Sequence, residues 1–157
     1  MSAEDNLKKL GLVLPPPPQP AGAYTRAVRL DACGLIFISG QLPLEAGQIK
    51  FAGKLGANLA QDAGYQAAQL CALSALSVLQ AELGSLEAVS RIVRLGGFVA
   101  STPDFTAQAQ VINGASDLMA EVFGAAGVHA RYAVGVAALP LDAAVELEVI
   151  AEVNGSI

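Results

Sequence analysis

The sequence predicts an α+β fold: a single mixed β-sheet with two helices on one face. Three observations carry this expectation. Strand and helix patterns follow one another in the order β-β-β-α-β-α-β-β, segregated enough for one sheet and one helical layer. Only two long helical patterns are present, which leaves the other sheet face to be covered by something else. The segment Arg131 to Leu139 is apolar at both parities (Tyr132, Val134, Val136; Ala133, Ala137), as expected of a strand buried on both sides. Another subunit is the natural cover for that face.

The totals agree. A chain of 157 residues fits one domain, 1–157, with residues 1–21 as an N-terminal extension and Pro-rich lead-in. Hydrophobic content of 54% supplies ample core, and 15% charged residues is low enough to suggest surface hidden in an oligomer. The net charge of -5 and the scattered Lys and Arg argue against a nucleic-acid footprint. The polar start MSAEDNLKKLG has no apolar signal core. The longest nearly apolar run, Ala67 to Leu79, is interrupted by Gln69, Ser74 and Ser77 and is shorter than the roughly 20 residues that span a bilayer. No membrane association is therefore expected. Cys33 and Cys71 stand in unrelated contexts, without a CxxC, so a cytoplasmic protein with free thiols is expected. His129, the one histidine, excludes His-rich metal sites and argues against a Ser-His-Asp triad.

Residues 2 to 10 read as a short exposed helix or tail. The four prolines of GLVLPPPPQPAGAY favour polyproline II and a stiff lead-in lying across the body, rather than an SH3-type ligand. Tyr24 to Leu30 is a candidate strand, Asp31 to Gly34 a turn, and Leu35 to Ser39 a strong strand that Gly40 ends. Glu45 to Gln48 is a turn before a short edge strand at Ile49 to Phe51. Asn58 is the expected N-cap of a helix from Leu59 to about Leu83, stopped by Gly84. Leu70, Leu73, Leu76 and Leu79 mark its apolar stripe, and Ala67, Ala68, Ala72 and Ala75 keep it thin enough to lie close on a sheet.

Val89 to Ala100 is the next long strand. Parity places Arg91 and Arg94 on opposite faces of it, and Gly96-Gly97 suggests a bulge or a close backbone approach. Thr102-Pro103-Asp104 reads as a helix start, with Val111, Ala115, Leu118, Met119 and Val122 as the stripe and Gly124 as the stop.

The last segment, RYAVGVAALPLDAAVELEVIA, carries the chemistry. In its final strand Val145, Leu147 and Val149 share one face and Glu146 and Glu148 the other. Read as a strand pair turning near Leu141, it sets Glu146 beside Val136 and Arg131 roughly 15 Å further along. The two charges then either do unrelated jobs or meet across a subunit boundary. Charges in such apolar surroundings are paired or used.

Tyr24 after Gly22-Ala23, the Ser39-Gly40-Gln41 triplet, the helix bearing Asn113, the Ala130-Arg131 pair and the closing VELEVIA together resemble the Rid (YjgF) family, once labelled L-PSP endoribonucleases. The resemblance covers Gly22 to Ala151, and the Pro-rich lead-in with VINGASDLMAEVFG resembles a less characterised subgroup. It implies a chorismate-mutase-like fold, a homotrimer with clefts between subunits, and no metal or organic cofactor. It implies that Arg131 grips a substrate carboxylate and Glu146 positions the water that hydrolyses a 2-imino acid. Tyr24, Ser39, Gly40 and Asn113 would line the cleft. His129 stands where the family's deaminases usually have proline, and Ala133 where a cysteine is common; both reshape the cleft, and His129 is a candidate substrate contact. Glu148 is read as a structural acid. Two other activities stay open: binding of a small carboxylate metabolite without turnover, and RNA cleavage, against which the acidic charge counts.

Overall fold

In the computed structural model, which describes residues 2–154, a five-stranded sheet has the order β1-β2-β7-β5-β6. Its strands are β1 (Ala27–Leu30), β2 (Leu35–Gln41), β5 (Val89–Ala100), β6 (Ala130–Val136) and β7 (Val145–Val153). Strands β5 and β6 run parallel and the other pairs antiparallel, so the sheet is mixed, as expected. Helices α2 (Gln61–Leu83) and α3 (Gln108–Phe123) pack on one face. A separate two-residue hairpin, β3 (Leu44–Glu45) with β4 (Gln48–Ile49), turns through Ala46 and Gly47, both at positive φ as a tight hairpin turn demands. Of the expected 1–157 span, Met1 and residues 155–157 lie outside the described residues. No helix among the described residues is long and apolar enough to cross a membrane.

The local patterns explain most elements. In β2, Ile36 and Ile38 are buried against the helices while Leu35 and Phe37 face the other way. The strand does not stop at Gly40: a bulge adds one residue between Ile38, paired with Val149, and Gln41, paired with Leu147. β5 has the expected bounds, but it also bulges, between Ile92 and Arg94. The extra residue resets the parity. Arg91 pairs with Glu152 and Arg94 with Ile150, which share a face of β7, so the two arginines lie on the same face, not on opposite ones.

In α2 the small residues Ala67, Ala68, Cys71, Ala72 and Ala75 are fully buried with Leu76 and Leu79, whereas Leu70 and Leu73 are only partly covered. The close-packed face is thus alanine more than leucine, and Gly84 ends the helix in the left-handed conformation. Its N-cap is Ala60, not Asn58. The Asn58 side chain instead accepts from Lys54 N (2.9 Å) and donates to Ala52 O (3.2 Å), tying its own loop together. Helix α3 starts at Gln108, later than expected, because Thr102 N bonds back to Leu55 O and Phe105 N to Thr102 O, making residues 102–105 a turn. Its stripe Val111, Ala115, Leu118, Met119 and Val122 is buried as expected.

Two expectations at the ends are corrected. The helix α1 (Ala3–Lys9) is not fully exposed: Ala3 and Leu7 are buried, and Asn6 Nδ2 donates to Val122 O (2.9 Å) of α3. The first strand begins at Ala27, not Tyr24, because Tyr24 sits in the bend that closes the lead-in. More consequentially, β6 and β7 are not neighbours. Strand β5 lies between them, so Glu146 is not beside Val136; it pairs with Phe98. β6 is an edge strand with an exposed side, not one buried on both sides.

The two helices touch backbone to backbone. A Cβ on Gly114 would collide with the carbonyl of Tyr65, 2.9 Å from its carbon, and one on Gly64 would reach Leu55 at 2.9 Å and Val111 at 3.0 Å. Gly114→Ala is therefore expected to cost about 1–3 kcal/mol, the scale of overpacking in a filled core. A lowered thermal midpoint is the expected result, and an unchanged midpoint would deny the close crossing.

Candidate functional site

The predicted site residues divide between the two faces of the sheet. The face of β7 bearing Val145, Leu147 and Val149 is buried under the helices, so Glu146 and Glu148 lie on the face the helices leave uncovered. Glu146 lines a hollow of about 410 Å³ with Val28, Phe37, Ser39, Gly40 and Phe98. The β2 bulge builds this place. It sets Gly40 so close that a Cβ there would collide with Glu146 Oε1 and lie 2.9 Å from its Cδ. Burial among these groups raises the Glu146 carboxyl above its ordinary value.

Glu148, two residues on, has a different setting. Its Oε2 accepts from Tyr132 Oη (3.2 Å) and Arg94 Nη2 (3.4 Å), and Arg94 lies over the Tyr132 ring. Tyr132 fits because Gly96 has no Cβ to meet its hydroxyl. Glu148 is thus tied down as an ion-paired acid, as expected, while no ion pair holds Glu146 among the described residues.

Ser39 and Tyr24 border the same region from the lead-in side. Ser39 Oγ donates to Thr25 O (2.7 Å), so its proton is committed to the backbone. Tyr24 is 57% exposed and its Oη accepts from Ala21 N (3.2 Å). Both, with Gly40 and Pro18 to Ala21, line a second hollow of about 230 Å³. The lead-in therefore forms one wall of it.

Arg131, Asn113 and His129 gather elsewhere. Arg131 is exposed on edge strand β6 and turns toward α3, donating from Nη1 to Ser116 Oγ (3.0 Å) and from Nη2 to Ala109 O (3.3 Å). It has no carboxylate partner among the described residues. With Asn113, Ser116, Asp117 and His129 it lines a hollow of about 300 Å³. His129 Nδ1 meets Gly127 O at 2.5 Å and Nε2 meets Ser116 Oγ at 3.0 Å. Burial lowers the imidazole below its ordinary value.

Arg131 and Glu146 thus point from opposite faces of one sheet, with β5 between their strands, and one chain does not bring them together. Sequence reasoning missed Ser116, although its signal was present: it follows Asn113 by three residues and so shares its helical face. Phe98, Tyr132 and Arg94 were missed as neighbours of the two glutamates, because their placement depends on the pairing of β5 with β7. Among the described residues no group of three His, Cys, Asp or Glu side chains could hold a metal ion.

Comparison with known proteins is consistent along the chain. The family model described as "YjgF/chorismate_mutase-like, putative endoribonuclease" matches residues 4–153. Protein TCP17 of Trypanosoma cruzi is 47% identical over 151 residues, covering 95% of this chain and 92% of that protein. The crystal structure of the protein Atu1372 of unknown function from Agrobacterium tumefaciens has a TM-score of 0.90 at 42% identity, covering 97% of this chain and 92% of that one. A "putative endoribonuclease" from Shewanella oneidensis has a TM-score of 0.94 at 30% identity, covering 98% of this chain and all of that one (100%).

The setting of Glu146 has a consequence for stability. Its folded pKa is raised above 4.5, so the folded chain keeps this proton to higher pH than the unfolded chain. The group's favourable share is complete below the unfolded pKa and is lost as pH rises through the folded pKa. Glu146→Gln is expected to flatten the fall of the thermal midpoint from pH 4.5 upward and to melt above the unsubstituted chain at neutral pH. Melting curves with identical pH slopes would show that this carboxyl is not desolvated.

Proposed function

This chain belongs to the YjgF/chorismate-mutase-like family, and we propose that it hydrolyses small reactive 2-imino or enamino acids to 2-keto acids and ammonia in a cleft between the subunits of a homotrimer. The observation that carries this reading is the separation just described. Arg131 stands at an outer sheet edge without a carboxylate partner, and Glu146 stands half-buried and unpaired by any cation on the uncovered face. Each is half of a carboxylate-and-water site, and a second copy is what can join them. The uncovered face also exposes Val28, Leu30 and Val134, at 51%, 45% and 42%, as a face built to be covered would.

In this reading Arg131 binds the substrate carboxylate through the guanidinium donors that Ser116 and Ala109 do not take. The fixed bonds to α3 hold the guanidinium plane and reduce the ordering cost of binding. Glu146 orients a water against the imine carbon and takes one of its protons as the C–O bond forms. It then returns a proton to nitrogen, the C–N bond breaks, and ammonia leaves the keto acid. A carboxyl raised by burial is suited to both transfers near neutral pH. Tyr24, Ser39, Gly40, Asn113 and His129 would line the cleft, with no metal or organic cofactor in the reaction. The net charge of -5 favours a small metabolite over RNA as the partner.

The test is release of keto acid or ammonia from enzymatically generated 2-imino acids. Release above the spontaneous rate is expected, lost in Arg131→Ala. Glu146→Gln should lower turnover by roughly a hundredfold or more while leaving carboxylate binding in place. Binding without turnover in the unsubstituted chain would instead favour a carrier or sensor of small carboxylates. The assembly has its own check: light scattering should give the trimer mass, and a stable monomer would remove the inter-subunit cleft.

A further inference from the structure

Ser116 has no part in that reaction, yet its surroundings are those of an activated hydroxyl. It projects from the middle of α3 into the hollow of about 300 Å³ that Asn113, Asp117, Val128, His129 and Arg131 also line. Its Oγ lies 3.0 Å from His129 Nε2 and 3.0 Å from Arg131 Nη1. The donors and acceptors follow from the chemistry of each partner. A carbonyl only accepts, so the contact of Gly127 O with Nδ1 places the ring proton on Nδ1. In the neutral ring Nε2 is then an acceptor, and the single Ser116 proton points at it. The guanidinium only donates, so it meets an Oγ lone pair. Burial favours the neutral imidazole.

We propose that Ser116 is a nucleophile with His129 as its general base, and that this hollow is an acyl-transfer site for small esters and other activated acyl compounds. The parts that such a site needs are present. The nucleophile is hydrogen-bonded to a base, the base is oriented through its other nitrogen, and a fixed cation stands beside the reacting oxygen. Gly127 O fills the role that a carboxylate fills in a Ser-His-Asp arrangement, holding the tautomer. Arg131 places positive charge where the tetrahedral oxyanion forms.

The step balances without any redox partner. The Oγ–C bond forms as the Oγ proton passes to Nε2 and the carbonyl π pair moves to oxygen. Collapse breaks the bond to the leaving alcohol, which takes the proton from Nε2 and leaves an acyl-Ser116 ester. Water, deprotonated by Nε2, then attacks that ester; the acid departs and the proton returns to Oγ. Asp117, held by Tyr65 Oη at 2.9 Å, gives the far side of the hollow a negative end. Acyl groups bearing an amine are therefore favoured over those bearing a carboxylate.

The experiment is labelling of the full chain with a fluorophosphonate, followed by peptide mapping, with p-nitrophenyl acetate hydrolysis as a second readout. Covalent modification at Ser116 is expected, slowed roughly a hundredfold or more in His129→Gln, with ester turnover lost in Ser116→Ala. Mapping on the unsubstituted chain needs no variant, so the result does not depend on how the variants fold. Absence of label on Ser116 in the folded chain would overturn the proposal. So would equal labelling rates with and without the His129 imidazole, which would reduce the serine to a structural link between α3 and β6. Neither readout uses an imine, so failure here leaves the deaminase reading untouched.

Discussion

The insertion of β7 between β2 and β5 is the constraint on which the rest depends. This last strand pairs antiparallel with both neighbours, so one short segment joins the N-terminal hairpin to the helix-flanked half of the chain. Its apolar residues Val145, Leu147 and Val149 are pinned beneath the helices, and a one-residue slip would exchange them for Glu146 and Glu148. The register is therefore set by burial. The same register puts both glutamates on the uncovered face and moves β6 out to the edge. The two halves of the proposed cleft follow from one strand placement.

Within that frame, small departures from regular structure do the positioning. The β2 bulge brings Gly40 against Glu146, and the β5 bulge turns Arg94 toward Glu148. Glycines at 96 and 97 let Tyr132 and Ile112 approach the strand from its two sides. The result is two carboxylates two residues apart with unlike surroundings. One is bonded to a guanidinium and a phenol; the other is desolvated with no cation beside it. Environments that separate neighbouring carboxyls in this way are how acid and base roles divide in one pocket. Arg131 shows the same economy at the opposite edge, where two bonds to α3 fix its plane and leave its other donors available.

Local chemistry was readable where one residue or a short period decides the outcome. The strand at Val89 to Ala100, the stripe of α3 and the stop at Gly84 all follow from neighbours within a few positions. Local signals failed where a distant partner outbid them. Asn58 is a good cap by type, but its amide serves the loop at Lys54 and Ala52. Thr102-Pro103-Asp104 has the chemistry of a helix start, yet the bond to Leu55 holds it as a turn. Parity gave the wrong relation for Arg91 and Arg94, because a bulge leaves no mark in an apolar run.

The candidate site divides along the same line. The residue types were legible: an arginine at a strand start and a glutamate in an alternating strand are conspicuous in a chain with 15% charged residues. Their face, their neighbours and their separation were not. Those depend on strand order and register, which are set by which apolar surfaces can be buried together across 286 long-range pairs rather than by any local preference. The sequence by itself determined the elements, the α+β class and the chemically active side chains, because these rest on short-range periodicity and residue type. Only the tertiary structure decided that β5 separates β6 from β7, that Arg131 and Glu146 occupy opposite faces, and that Ser116 stands between His129 and Arg131. Such placements come from packing segments far apart in the chain, and burial energy acts on surfaces, not on sequence neighbours.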